Sequence, residues 1–127
     1  MNILIVDDNP DFLSMLNEIL FLHGYNTFSA EDGLEGSTIL TSQEIDLIIS
    51  DIKMPTFDGI KLHSFVRNLD AYRRTKFVFL SGHREEFKDI ITLDPEIDFF
   101  LNKTTSVSEI VRVVDELLFG TFAGTWV

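Results

Sequence analysis

Apolar residues along the chain gather into short runs separated by stretches with helical spacing. The runs are NILIV (2–6), YNTFSA (25–30), DLIIS (46–50), KFVFL (76–80) and DFFLN (98–102). Three are near-continuous rather than alternating, which is the pattern of strands covered on both faces. Between the first two lies NPDFLSMLNEILFLHG (9–24). There Asn9 is placed to cap a helix, Pro10 suits its first turn, and Gly24 suits its stop. A second helix is predicted over about 32–43, weakened by Gly33 and Gly36. A third runs from Gly59 to about Leu69, with Leu62, Phe65, Val66 and Leu69 on one face. A fourth, over about 84–92, carries Phe87, Ile90 and Ile91. A fifth, over about 106–118, is capped by Ser106 and shows a stripe of Val107, Ile110, Val111, Val114, Leu117 and Leu118. Strand and helix thus alternate five times, with no Pro/Gly/Ser-rich linker between them. That alternation predicts an α/β fold with a doubly wound, right-handed parallel sheet of five strands in the order 2-1-3-4-5. Ligands of such sheets bind at the carboxyl ends of the strands, here where strands 1 and 3 part.

Polar residues close the apolar runs at that rim. Asp7 and Asp8 follow strand 1, Asp51 ends strand 3, Ser81 closes strand 4, and Lys103 follows strand 5. Three carboxylates in one crevice repel one another unless a cation joins them. Oxygen ligands without His or Cys select a hard ion such as Mg²⁺, which keeps waters and uses one or two carboxylates plus phosphate. A carboxylate nucleophile, a metal cage, a hydroxyl and a fixed ammonium are the parts phosphoryl transfer needs. Each residue also has a plainer reading. Ser81 suits a turn, Lys103 a solvated strand end, and the aspartates a helix N-terminus. Five such placements on one rim favour a site.

Composition narrows the field. The 127 residues suffice for one domain, read as 1–119 followed by an apolar tail over 120–127 that includes Phe122 and Trp126, with no output domain. With 21 acidic against 10 basic residues the net charge is -11, which argues against unaided nucleic-acid binding. The chain has no cysteine, which excludes disulfides and thiolate chemistry. The opening MNILIVDDNP is no signal peptide and favours a natural start. No apolar run approaches a membrane span of ~18 residues, so the chain reads as cytoplasmic, without membrane insertion.

The acidic pair after ILIV, the DIKMPTFDG loop, LSG after strand 4 and FFLNK at strand 5 together resemble a response-regulator receiver domain, over about 118 residues. The resemblance implies a flavodoxin-like (βα)5 fold and a role in two-component signalling or a phosphorelay. By that resemblance Asp51 accepts a phosphoryl group from a histidine kinase or histidine phosphotransfer protein. Asp8, Asp51 and the Lys53 backbone carbonyl hold Mg²⁺, with Asp7 acting through water. Lys103 pairs with the phosphoryl oxygens, Ser81 turns its hydroxyl toward them, and Phe100 swings inward. Pro55 and Gly59 shape the loop. The output is a rearranged surface on the fourth helix, fifth strand and fifth helix, read by a downstream protein partner. Catalysis is limited to transfer onto Asp51 and its later loss. Lys53 and His83 stand where the family tunes dephosphorylation. Oligomeric state is open, a homodimer included.

Departures from the family pattern matter. Thr104 stands where the family usually has Pro, often after a cis bond. A cis bond before a non-proline costs ~2.5–4 kcal/mol, so the bond before Thr104 is expected to be trans or strained, with weaker coupling to the phosphoryl group. On the first helix Leu13, Leu16 and Leu20 form one stripe, and Phe12, Met15, Ile19 and Leu22 a second. Part of the second is expected to be exposed, which makes Phe12, Met15 and Thr104 candidate contacts for a docked kinase helix. Rival readings fare less well. A Mg²⁺-dependent aspartyl phosphatase uses Asp-x-Asp after strand 1, whereas this chain has Asp7, Asp8 and Asn9. A flavodoxin-like cofactor binder needs a Ser/Thr/Gly-rich phosphate loop, and DDNPD is not one. A pseudo-receiver that only docks has no need of all five rim residues.

Overall fold

Ile3 and Ile5 turn to one face of strand β1 (Asn2–Val6), Leu4 and Val6 to the other, and all four are buried. The computed structural model of the chain describes residues 1–54, 57–82 and 93–120. The same two-sided burial recurs there in β3 (Leu47–Asp51) and β4 (Lys76–Leu80). With β2 (Asn26–Ala30) and β5 (Asp98–Leu101) they form one parallel sheet in the order β2-β1-β3-β4-β5. That is the order the run pattern predicts.

Each face has its own chemistry. On one, Ile3, Ile5, Leu47, Ile49, Val78 and Leu80 pack against α1 (Pro10–Leu22) and α4 (Val107–Phe119). On the other, Leu4, Val6, Ile48, Phe77 and Phe79 meet α2 (Gly33–Ser42) and α3 (Gly59–Arg67). Fully burying one such side chain stabilises by about 1.5–3 kcal/mol, so two covered faces give a small sheet most of its stability. The caps fall where the sequence places them. Asn9 accepts from the amides of Asp11 and Phe12, and Ser106 accepts from Glu109. Gly24 ends the α1 turn at a φ of 92°.

Three features differ from the sequence reading. Helix α3 stops at Arg67, and a 3-10 turn, Asp70–Tyr72, follows it. The Tyr72 hydroxyl reaches the carbonyls of Leu40 and Gln43 at 2.8 and 2.6 Å, which ties that turn to the end of α2. The two glycines of α2 are buried, and a Cβ on Gly36 would stand 3.1 Å from Val6 Cγ2. Gly36 therefore serves close helix–sheet packing, at the cost to helix propensity the sequence suggests. Last, Asp98 opens β5 as a buried charge. His63 Nε2 and an Arg67 Nη approach its Oδ1 at 2.8 and 2.6 Å, and the Asp94 amide donates to Oδ2 at 2.8 Å. The helix expected over about 84–92 and the tail residues 121–127 lie outside the described residues.

Candidate functional site

The carboxyl ends of β1, β3 and β4 lie side by side, with Val6 opposite Ser50 and Asp51 opposite Leu80. That register brings the polar residues after each strand to one rim. Asp7 is held there because its amide donates to the Ala30 carbonyl at 3.0 Å and its Oδ1 accepts from the Asn9 amide at 2.8 Å. Its side chain is buried, as is that of Asp51, while Asp8 is exposed. Ser81 joins the next two strands: its amide donates to the Leu101 carbonyl, and its carbonyl accepts from Lys103 at 3.4 Å.

Lys103 reaches back across this rim. Its ammonium donates to Asp51 Oδ2 at 2.9 Å and stands 2.9 Å from Asp7 Oδ2 as an ion pair without hydrogen-bond geometry. Burial alone would lower its pKa, but the Asp51 and Asp7 carboxylates outweigh that and hold it above the ordinary lysine value. Burial pushes the Asp7 carboxyl above its ordinary value, against the opposing pull of the Asn9 amide and Lys103.

The loop after β3 is shaped by contact. The Gly59 amide donates to the Ile52 carbonyl at 2.9 Å, and a Cβ on Gly59 would fall 2.2 Å from the Asp51 carbonyl oxygen. Only glycine lets α3 begin so close to the end of β3. Lys53 lies exposed two residues beyond Asp51. Pro55 and His83 lie outside the described residues. Thr104 is exposed, the bond before it is trans, and its amide and hydroxyl donate to Asn102 Oδ1 at 2.9 and 2.8 Å. Phe100 is half-buried and stacks on Phe79 with centroids 5.0 Å apart, on the face shared with α2 and α3. Met15 is exposed and Phe12 half-buried, so the second stripe of α1 is partly open as expected.

The aspartates fit a hard divalent cation. One oxygen from each of Asp7, Asp8 and Asp51 lies within 4.8 Å of the others, with no nitrogen or sulfur in the set. Asp7 Oδ2 is buried without a hydrogen-bond partner among the described residues, and a cation with its water shell would satisfy it. Two features escaped the sequence reading. Asn102 acts as the acceptor that folds the Lys103 loop, and the Phe12 ring centroid lies 5.3 Å from Lys103 Nζ. An Asn two residues before a Thr is a turn signal that could have revealed the first. No spacing rule links the second pair.

Comparison with known proteins agrees with this geometry. Residues 3–115 match the family described as response regulator receiver domain. Sporulation initiation phosphotransferase F of Bacillus subtilis is 40% identical over 87 residues, covering 68% of this chain and 70% of that protein. The transcriptional regulatory protein GlrR of Escherichia coli is 27% identical over 117 residues, covering 92% of this chain but 26% of that protein. The chain therefore spans about a quarter of the first curated relatives it matches. Among solved structures, the response regulator TrrA of Thermotoga maritima in complex with Mg²⁺ and BeF superposes with a TM-score of 0.79 at 28% identity. That superposition covers 92% of this chain and 98% of that one. The chain belongs to the response regulator receiver domains of two-component signalling.

Proposed function

We propose that Asp51 is the phosphoacceptor of this receiver domain and that the rim around it performs the transfer. The observation that carries this is the placement of Asp51. It is a buried carboxylate at the end of β3, hydrogen-bonded by Lys103, with oxygens of Asp7 and Asp8 within 4.8 Å. A carboxylate oxygen of Asp51 attacks the phosphorus of a phosphohistidine. An O–P bond forms as the P–N bond breaks, and the released electron pair stays on the imidazole nitrogen, which takes a proton from water. Lys103 neutralises charge on the phosphoryl oxygens in the transition state. Asp8, Asp51 and the Lys53 carbonyl would hold Mg²⁺, with Asp7 acting through its water. Bound there, the ion supplies charge neutralisation and orients the phosphoryl group.

The phosphodonor is a histidine kinase or a histidine phosphotransfer protein, met on the side where Met15 and Thr104 are exposed. The new charge on Asp51 draws Lys103 and the Ser81 hydroxyl, and Phe100 carries the change into the surface of β5 and α4 that a downstream protein reads. Lys53 and His83 tune loss of the phosphoryl group.

Acetyl phosphate with Mg²⁺, followed by intact mass, tests the proposal. One phosphoryl group should add to the wild type, none to Asp51→Asn, and none without Mg²⁺. A wild type that stays unmodified and ignores beryllofluoride would instead make the domain a docking module.

A further inference from the structure

We propose that Phe12 is a positioning residue for Lys103, its ring holding the ammonium at the rim rather than serving only as a contact for a docked partner. The proposal rests on Lys103 and Asp51 acting in phosphoryl transfer. Lys103 Nζ lies 5.3 Å from the Phe12 centroid, inside the range of about 6 Å at which a ring face attracts a cation. The same ammonium stands 2.9 Å from Asp51 Oδ2 and from Asp7 Oδ2. It thus has two carboxylates and one ring as neighbours.

The need for such a ring follows from the loop. A lysine ammonium is a point charge on a flexible four-carbon stem. The chain after it turns back on Asn102, whose Oδ1 accepts from exposed Thr104 and whose carbonyl accepts from the Thr105 amide at 2.9 Å, contacts that fix the backbone rather than the ammonium. Phe12, by contrast, is well fixed. Pro10 starts its helix, the Phe12 amide donates to Asn9 Oδ1 at 3.2 Å, and the ring packs half-buried on the core shared by α1 and α4. Asn9 in turn donates its amide to Asp7. One short segment therefore places both a carboxylate partner and the ring partner of the lysine. When Asp51 becomes an acyl phosphate, its charge moves outward and the ammonium must follow. A ring face offers a cation a broad area of attraction out to about 6 Å from its centroid, so it supports the ammonium as it shifts from the carboxylate toward the phosphoryl oxygens.

Acetyl phosphate separates this role from docking, because it phosphorylates without a protein partner. Phe12→Leu keeps the apolar volume and removes the ring; Phe12→Tyr keeps the ring. With acetyl phosphate and Mg²⁺, Phe12→Leu should slow phosphorylation about three- to tenfold, the size of a partly exposed cation–ring contact. Phe12→Tyr should stay within about twofold of wild type. In NMR spectra the Lys103 ε-methylene resonances should lose their ring-current shift in Phe12→Leu and keep it in Phe12→Tyr, with unfolding midpoints verifying that each variant folds. Equal rates for Phe12→Leu and wild type, or a Tyr variant as slow as the Leu variant, would overturn the proposal. A wild type that takes no phosphoryl group would refute Asp51 as acceptor instead, and the ring-current shift would still decide whether Phe12 holds Lys103.

Discussion

Thr104 carries the largest departure from the family pattern, and its bonds show how the loop manages without proline. The Thr104 amide and hydroxyl both donate to Asn102 Oδ1, an Asx-type turn that a proline, lacking both the N–H and the hydroxyl, could not make. Thr104→Pro trades that local bond for a fixed φ. It is expected to raise the rate of phosphorylation by acetyl phosphate, and equal rates would remove Thr104 from any role in coupling Lys103 to the site. Asp8 offers a cleaner test of the metal. It is exposed, so Asp8→Asn should leave the apo fold's stability nearly unchanged. A ligand at a hundred times its Kd stabilises by about 2.7 kcal/mol. Mg²⁺ should therefore raise the unfolding midpoint of the wild type clearly and that of Asp8→Asn little or not at all. An equal rise in both would place the ion elsewhere.

Elements respond at their ends. A Cβ on Gly59 would fall 2.2 Å from the Asp51 carbonyl oxygen and 2.9 Å from the Ile52 Cα, both backbone atoms that cannot give way cheaply. Gly59→Ala is expected to destabilise by about 1–3 kcal/mol, and to slow phosphorylation as well, since the shift falls on Asp51, the proposed acceptor. Urea unfolding and acetyl phosphate kinetics would check both. Elements with chemical punctuation were legible in the sequence. Asn9 and Pro10 opened α1, Ser106 opened α4, and the unbroken runs around Ile48 and Val78 marked buried strands. The end of α3 was not, because Leu69 extends the apolar spacing past Arg67 while Tyr72 is drawn away to the α2 carbonyls. Tertiary bonds of that kind leave no local signal.

Across the molecule, the shared rim was readable because a parallel sheet puts every strand's successor at the same edge. Asp7, Asp8, Asp51, Ser81 and Lys103 came together for that reason alone. The His63–Asp98–Arg67 contact was not readable, since it joins residues more than thirty apart through the interior. Burial pushes the Asp98 carboxyl up, but His63, the Asp94 amide and Arg67 outweigh it and leave its pKa below the ordinary value of about 3.9. The stabilisation is therefore complete above that value and lost as pH falls through the lower, folded one. Wild-type stability should decline below about pH 4, and Asp98→Asn should flatten that decline while costing about 3 kcal/mol at neutral pH. Acid titration of the urea midpoint would measure both. One consequence of the strand order concerns β5, the four-residue border of the sheet. Among the described residues it pairs with β4 alone, so fewer backbone bonds hold it than hold β1 or β3. Its outward amides should exchange with deuterium sooner than those of the central strands. The lysine proposed to meet the arriving phosphoryl group thus hangs from a border strand rather than a central one, so a signal can travel outward along that border while the centre of the sheet stays still.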